Sequence, residues 1–382
     1  MLKAFEELAV MLLITAPSLY DIGIRARRMA ADRSLRKMKK ILVVFGGCST
    51  EYEVSLQSAT AVMQAIDREQ YEVLHLGITK DGRAFYYEGA EERIAEDTWQ
   101  GKDCFPATVS MSRGIPLLWV EKDGALLKLP FDIAFPVLHG KNGEDGTLQG
   151  LCELAGIPIA GCGMESSALG MDKVLAHTLV ELAGIRVPKS VYFNTMQEYE
   201  TGRSRIEALG LPVFVKPVRA GSSFGITRVT EPDAMDKAVQ EAFAHDSQVV
   251  IEEAIDGFEV GCAVMGNEEL TIGRADEIEI PTGFFDYEEK YTLKSSAIHM
   301  PARVTKEEED RIRETAGKIY KVLGCKGFTR VDMFFTSKKE IVFNEINTIP
   351  GFTSHSRYPN MMKGIGLDFK QVVNEIIRLA QR

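Results

Sequence analysis

The segment FTRVDMFFTSKKEIVFNEIN holds two apolar strand-like runs joined by the short polar stretch TSKK. A connection that short makes the two strands antiparallel neighbours. Side chains alternate along a strand, so Glu345 and Asn347 share one face, and Arg330 shares a face with Asp332. Pairing of the hairpin then predicts that Asp332, Glu345 and Asn347 converge. Three oxygen donors in an open cluster suit Mg²⁺, which keeps waters and binds phosphates. A solvated polar sheet face would use the same residue types. Against it, the three interrupt runs in which Val331, Met333, Phe343 and Ile346 are core-like. A loop rich in Gly, Pro and Ser follows, and it carries Arg357.

The chain has 382 residues, which favours two or three domains, and 45% apolar with 26% charged residues marks a globular composition. A net charge of −10 argues against an overall nucleic-acid or anionic-membrane surface. The six cysteines form no CxxC pair, so a zinc or redox-pair motif is weakly supported and reduced thiols in a cytoplasmic protein are expected. Residues 1–37 differ from the rest. Their apolar run is preceded by Glu6 and Glu7 and followed by a basic stretch, the wrong order for a secretory signal and too short for a membrane span. The reading is a dispensable extension ahead of Met38.

KKILVVFGG followed by STEYEVSLQSATAVMQAI reads as strand, Gly-rich turn and helix, with Val54, Ala59, Val62 and Ile66 at helical spacing. EVLHLGIT and FDIAFPVLHG add strands, so residues 38–171 are expected to form one α/β domain on a parallel sheet. DKVLAHTLVELAGI reads as a helix with Asp172 as N-cap, Leu175, Leu179 and Leu182 on one face, and Gly184 as a stop. The strands SVYFN, PVFVKP, GITRV and QVVIEEA, with a helix near residues 233–244, give an α+β segment over 172–254. The remainder, 255–382, has a helix opened by the capping-box pair Thr305 and Glu308, with Ile312, Ile319 and Leu323 inward, then the hairpin, then the amphipathic FKQVVNEIIRLAQ.

Four further stretches carry chemistry. VKPVRAGSSFG places Lys216 at the rim of a Gly/Ser-rich turn, a phosphate nest that is not a Walker A loop; an ordinary hairpin turn is the alternative. Glu252 and Glu259 flank a tight turn and could accept from adenine or ribose, or lie on the surface. HGKNGEDGTLQG sets His139 in a Gly-rich loop after a buried strand, where ligands of α/β sheets bind. GGCSTEYEVSL has no dinucleotide fingerprint. Its Glu51 either answers a helix dipole or holds a substrate ammonium.

Taken in order, GGCSTEYEVSL, HGKNGEDGTLQG, MDK, VKPVRAGSSFG, FFDYEEKY, FTRVDMFF and NEINTIPGFTSHSRYP resemble the D-alanine–D-alanine ligase family, from Lys39 to Arg382. The resemblance implies an ATP-grasp fold behind an N-terminal parallel α/β domain. It implies an ATP-dependent ligase that phosphorylates a D-alanine carboxylate and lets a second D-amino acid attack the acyl phosphate. On matching positions it implies that Lys173, Lys216 and Lys290 contact ATP phosphates, with Ser222 and Ser223 in the nucleotide loop. Glu252 and Glu259 would hold adenine and ribose. Asp332, Glu345 and Asn347 would hold two Mg²⁺ ions, with Mn²⁺ as a substitute. Glu51 would bind the first ammonium, with His139 near the carboxylate. Arg330 and the Gly351 N–H would stabilise the oxyanion. Ser222, Tyr291 and Glu51 would pin a mobile loop shut. A homodimer is also implied.

The second substrate divides the family. This chain keeps Glu289, Lys290 and Tyr291, which favours an amide over an ester product. It places Arg357 after Ser356, where housekeeping enzymes usually carry an apolar residue, and so is similar to the D-alanine–D-serine ligases of the VanG and VanC types. A site built to hydrogen-bond a hydroxyl rejects the analogue lacking it. Arg357, with Asp276 and Phe285, is the expected D-serine subsite. D-alanyl-D-alanine synthesis, and a nucleotide-binding regulator without turnover, are the alternatives.

Overall fold

The apolar alternation resolves into three sheets in the computed structural model, which describes residues 38–221, 224–279 and 297–381. Phe285, Lys290 and Tyr291, along with Ser222 and Ser223, lie outside the described residues, as do positions 1–37. Among the described residues no helix is long and apolar enough to cross a membrane.

The first sheet has seven strands: β1 (Lys39–Gly46), β2 (Tyr71–Ile78), β3 (Ala84–Tyr87), β4 (Cys104–Val109), β5 (Leu117–Lys122), β6 (Ala125–Pro130) and β7 (Ile133–Val137), in the order β6-β5-β4-β3-β2-β1-β7. β1 and β7 pair in parallel, as expected of a strand–helix–strand unit. The far side differs from the expected parallel sheet: β2 through β6 form an antiparallel meander. Local turn chemistry explains it. Asp123 and Gly124 both take positive φ, 53° and 74°, the conformation of a two-residue hairpin turn between β5 and β6. An Asp-Gly pair, Asp81-Gly82, also stands between β2 and β3.

The second sheet, order β10-β9-β11-β8, is antiparallel: β8 (Ser190–Phe193), β9 (Val213–Pro217), β10 (Thr227–Val229) and β11 (Val249–Glu253). The third runs β14-β13-β12-β15-β16: β12 (Gly257–Gly266), β13 (Leu270–Glu279), β14 (Ala297–His299), β15 (Phe328–Thr336) and β16 (Ile341–Asn347). The β15–β16 hairpin pairs antiparallel as the short connection required.

The helix Lys306–Val322 starts on the expected capping box, Thr305 accepting from the Glu308 N–H and Glu308 accepting from the Thr305 N–H. It buries Ile312, Ile319 and Tyr320 against Val260, Val331 and Phe343 of the third sheet. Each such aliphatic or aromatic side chain contributes roughly 1.5–3 kcal/mol. The helix Lys173–Leu182 is capped by Asp172, which accepts from the Leu175 N–H. Its expected leucine face is wrong: Leu175 and Leu182 are 50% and 80% exposed, and the helix buries Lys173, Ala176, His177 and Val180 instead. Polar Lys173 and His177 turn inward because the cleft is there, which an apolar count cannot register.

One core holds the cleft together. The helix Phe369–Leu379 buries Val372, Val373, Ile376 and Ile377 in a cluster with Ile41, Val43 and Phe45 of β1, Ile133 and Phe135 of β7, and Phe328 of β15. This apolar continuity brings the loops after β1 and β7 up to the β15–β16 hairpin.

Candidate active site

A single row of residues crosses the third sheet. Asp276 of β13 pairs with Gly261 of β12, Gly261 with Asp332 of β15, and Asp332 with Glu345 of β16. Two residues along, Arg330 pairs with Asn347. Asp332, Glu345 and Asn347 therefore share a face and line one cleft of about 550 Å³. Asn347 Nδ2 donates to Asp332 Oδ2 at 2.9 Å. The donors are hard oxygens, which suits a divalent cation. Among the described residues no group of three His, Cys, Asp or Glu side chains forms a metal site, so the set depends on the asparagine.

Two arginines meet on this row. Arg330 grips Asp332 with Nε and Nη2 at 2.8 and 2.7 Å. Arg357, the first residue of the helix Arg357–Lys363, reaches back over the sheet. Its Nε and Nη2 donate to the two oxygens of Asp276, both at 2.7 Å, and Nη1 donates to Glu259 at 2.9 Å. Asp332 lies 3.5 Å from the same Nη1. Arg357 is thus boxed by three carboxylates, and Asp276 is fully buried beneath it. The box exists because position 261 has no side chain. A Cβ there would fall 2.3 Å from Arg357 Nη2 and 2.7 Å from Asp276 Oδ1. Sequence reasoning missed Gly261; the signal was a glycine inside an otherwise apolar strand, which often marks close approach.

The second sheet supplies a buried ion pair. Lys216 Nζ donates to Glu252 Oε2 at 2.6 Å. Burial alone would raise Glu252, but Lys216, His177 and Lys173 outweigh it and hold the carboxyl below its usual range. Glu252 Oε1 is buried and accepts no hydrogen bond. An orphaned acceptor at full burial is costly, and an exocyclic amine such as that of adenine would satisfy it. Lys173 Nζ donates to the Ala220 carbonyl at 2.8 Å, at the edge of the Gly/Ser turn. His177, which sequence reasoning passed over, donates its Nε2–H to the Asn344 carbonyl, 2.7 Å away.

The loops after β1 and β7 form the opposite wall. Glu51 is the N-cap of the helix Tyr52–Ala65. Its Oε2 would lie 2.8 Å from a Cβ on Gly140 and 3.1 Å from one on Gly221, so two glycines leave room for that carboxylate. His139 is buried, with Nδ1 on the Ile349 carbonyl at 2.8 Å and Nε2 on Ser58 Oγ at 3.1 Å. Both nitrogens being engaged, His139 orients the loop at Ile349. Glu144 is half-buried beside it and accepts from Gly140 N at 2.7 Å and Ile349 N at 3.0 Å. Burial and then Glu51 push Glu144 up to about 8, against the pull of those two amides. Ser356 Oγ accepts from the Thr353 N–H at 3.0 Å. Gly351 lines the cleft between these groups.

The chain matches the sequence model of the D-ala D-ala ligase N-terminus over residues 40–162 and that of the C-terminus over 179–378. It is 45% identical to the vancomycin C-type resistance protein VanC1 of Enterococcus gallinarum, over 90% of this chain and 99% of that one. It is 44% identical to the D-alanine–D-alanine ligase of Caldicellulosiruptor bescii, over 89% and 94% of the two chains. The crystal structure of the VanG D-Ala:D-Ser ligase from Enterococcus faecalis superposes with a TM-score of 0.84 at 57% identity, covering 90% of this chain and all of that one. The expected ATP-grasp class of fold and the ligase assignment both hold: this chain belongs to the D-alanine–D-alanine ligase family of ATP-dependent ligases.

Proposed function

We propose that the protein joins D-alanine to D-serine, making D-alanyl-D-serine for modified peptidoglycan precursors and vancomycin resistance. The observation that carries this reading is the carboxylate box that holds Arg357 rigidly over Asp276 beside Ser356. A donor-rich guanidinium there favours a second substrate with a hydroxyl, and a fixed donor discriminates better than a mobile one. The likeness to the VanG D-Ala:D-Ser ligase supports it.

In this reading Glu51 holds the ammonium of the first D-alanine, and its carboxylate lies toward Arg330 and Gly351. Lys173 and Lys216 lie along the triphosphate, and the orphaned Glu252 Oε1 takes the base amine, with Glu259 toward the ribose. Asp332, Glu345 and Asn347 would hold Mg²⁺, which neutralises phosphate charge. Asp332, which Arg330 grips and Arg357 approaches, would have to be shared between them and a cation. Transfer yields D-alanyl phosphate. The second amine attacks the acyl carbon, and Arg330 with the Gly351 N–H meets the developing oxyanion before phosphate leaves. Ser222, Ser223, Phe285, Lys290 and Tyr291 keep the roles given above. The same reading assigns residues 38–171 to a substrate domain, 172–254 and 255–382 to the two nucleotide-binding subdomains, and a cytoplasmic homodimer to the assembly.

Phosphate release with Mg-ATP and D-alanine, with and without D-serine, followed by mass identification of the dipeptide, tests the reading. D-alanyl-D-serine as the main product supports it. D-alanyl-D-alanine alone overturns the specificity and leaves the second reading, a housekeeping ligase, which the identity to the Caldicellulosiruptor bescii enzyme favours. Nucleotide binding with no ADP release dependent on either amino acid would point to the regulator.

A further inference from the structure

Ile349 to Thr353 runs through the cleft without secondary structure, yet nearly all of its backbone is tied down. The Ile349 N–H donates to Glu144 Oε1 at 3.0 Å and its carbonyl accepts from His139 at 2.8 Å. Pro350 has no N–H. The Phe352 N–H donates to Ser58 Oγ at 3.2 Å, and the Thr353 N–H to Ser356 Oγ at 3.0 Å. Gly351 alone in this run has a backbone N–H with no acceptor among the described residues. Gly351 is half-buried and lines the cleft, so its N–H is the one in this clamped run left for a ligand.

The tautomer is fixed by the same bonds. A carbonyl only accepts, so His139 carries its proton on Nδ1, and Nε2 accepts the Ser58 hydroxyl proton. The Ser58 oxygen in turn accepts from Phe352. Burial holds His139 below its ordinary value, against the pull of Glu51, which keeps the ring neutral as this chain of bonds needs. Ser58 and His139 are 0% and 4% exposed, so water does not compete.

We propose that Ser58 is a positioning residue of the ligase reaction: the Ser58–His139 pair on one side of Gly351 and Glu144 on the other preset the Gly351 N–H for the tetrahedral oxyanion. The proposal rests on the ligase reading above. Ser58 is fully buried; it acts on Phe352, next in sequence to the donor, and through His139 on Ile349. Its loss leaves His139 Nε2 and the Phe352 N–H both unpaired in a dry site, and the loop relaxes to satisfy them. A preset donor matters in the transition state more than in the ground state.

The test compares wild type with Ser58→Ala, using Mg-ADP alone and a phosphinate dipeptide analogue added with Mg-ADP. The expected result is a loss of analogue affinity and of kcat of about 10–100-fold, with Mg-ADP affinity and the D-alanine KM within about twofold. Equal analogue affinity in the two proteins overturns the proposal, as does a loss shared equally by Mg-ADP, which is what a merely structural serine would give. Should Ser58→Ala fail to fold, Glu144→Gln reads the other side of the clamp. It puts an NH₂ against one of the two amide donors and is expected to show the same selective loss; an unchanged analogue affinity there overturns the proposal. A wild-type protein that neither binds the analogue nor forms dipeptide overturns the ligase reading and the clamp with it.

Discussion

The two walls of the cleft are built on different physics. The sheet wall is a row of charges, Asp276, Asp332 and Glu345, with Arg330 and Arg357 laid across it. The loop wall is a set of backbone amides held by Ser58, His139 and Glu144. On the sheet wall the reacting groups are side chains, placed by strand periodicity and held by strong ion pairs. On the loop wall the reacting group is a main-chain N–H, which cannot be chosen by residue type. It can only be aimed, and aiming takes contacts from distant parts of the chain. The first wall supplies charge and the second supplies geometry.

The largest effect is expected on the charged wall. Arg330→Met leaves Asp332 without its bidentate partner and the oxyanion without its cation, and should lower kcat by about 10³-fold, read as phosphate release. A loss under tenfold would make the loop wall the dominant one. Next, Gly261→Ala removes no charged residue but drives a methyl into Arg357. The D-serine to D-alanine ratio of kcat/KM should shift toward D-alanine by about 10–100-fold, with Mg-ADP binding retained. An unchanged ratio would remove Arg357 from the specificity argument.

A third measurement separates the walls by pH. Glu144 sits near 8, raised above its ordinary range by burial and Glu51. A carboxyl raised on folding stabilises the fold below its unfolded value and loses that contribution as pH rises through the folded one. From about pH 4.5 to 8 the wild type should lose this contribution, while Glu144→Gln has none to lose. The melting temperature of Glu144→Gln relative to wild type should therefore climb across this window; a flat difference would mean that Glu144 is ionised in the fold. The smallest effect falls outside both walls. Leu182→Ser, on an exposed face, should change stability by less than about 0.5 kcal/mol in a denaturant titration.

The sheet wall was legible in the sequence because its determinants are local. A short polar connection dictates an antiparallel hairpin, and a period of two then puts Asp332, Glu345 and Asn347 on one face. The Thr305 capping box and the Asp172 N-cap were readable for the same reason, each involving residues three apart. Local signals also misled. Leucine spacing in the helix Lys173–Leu182 pointed to an apolar face, whereas the helix turns Lys173 and His177 inward. The Asp-Gly pairs that mark the meander were in plain view, yet strand content alone suggested a parallel sheet.

By itself the sequence determined the helices, the hairpins, the order of motifs and the residue types that can carry charge, since each depends on neighbours a few positions away. Tertiary structure alone decided where Arg357 lies, why Gly261 must lack a side chain, and how Gly351 is aimed. Those depend on contacts across 81 residues from Arg357 to Asp276, 210 from His139 to Ile349, and 294 from Ser58 to Phe352. No local pattern encodes such distances. They follow from one apolar core, running from β1 and β7 through β15 to the last helix, that draws the two walls to within a hydrogen bond of each other.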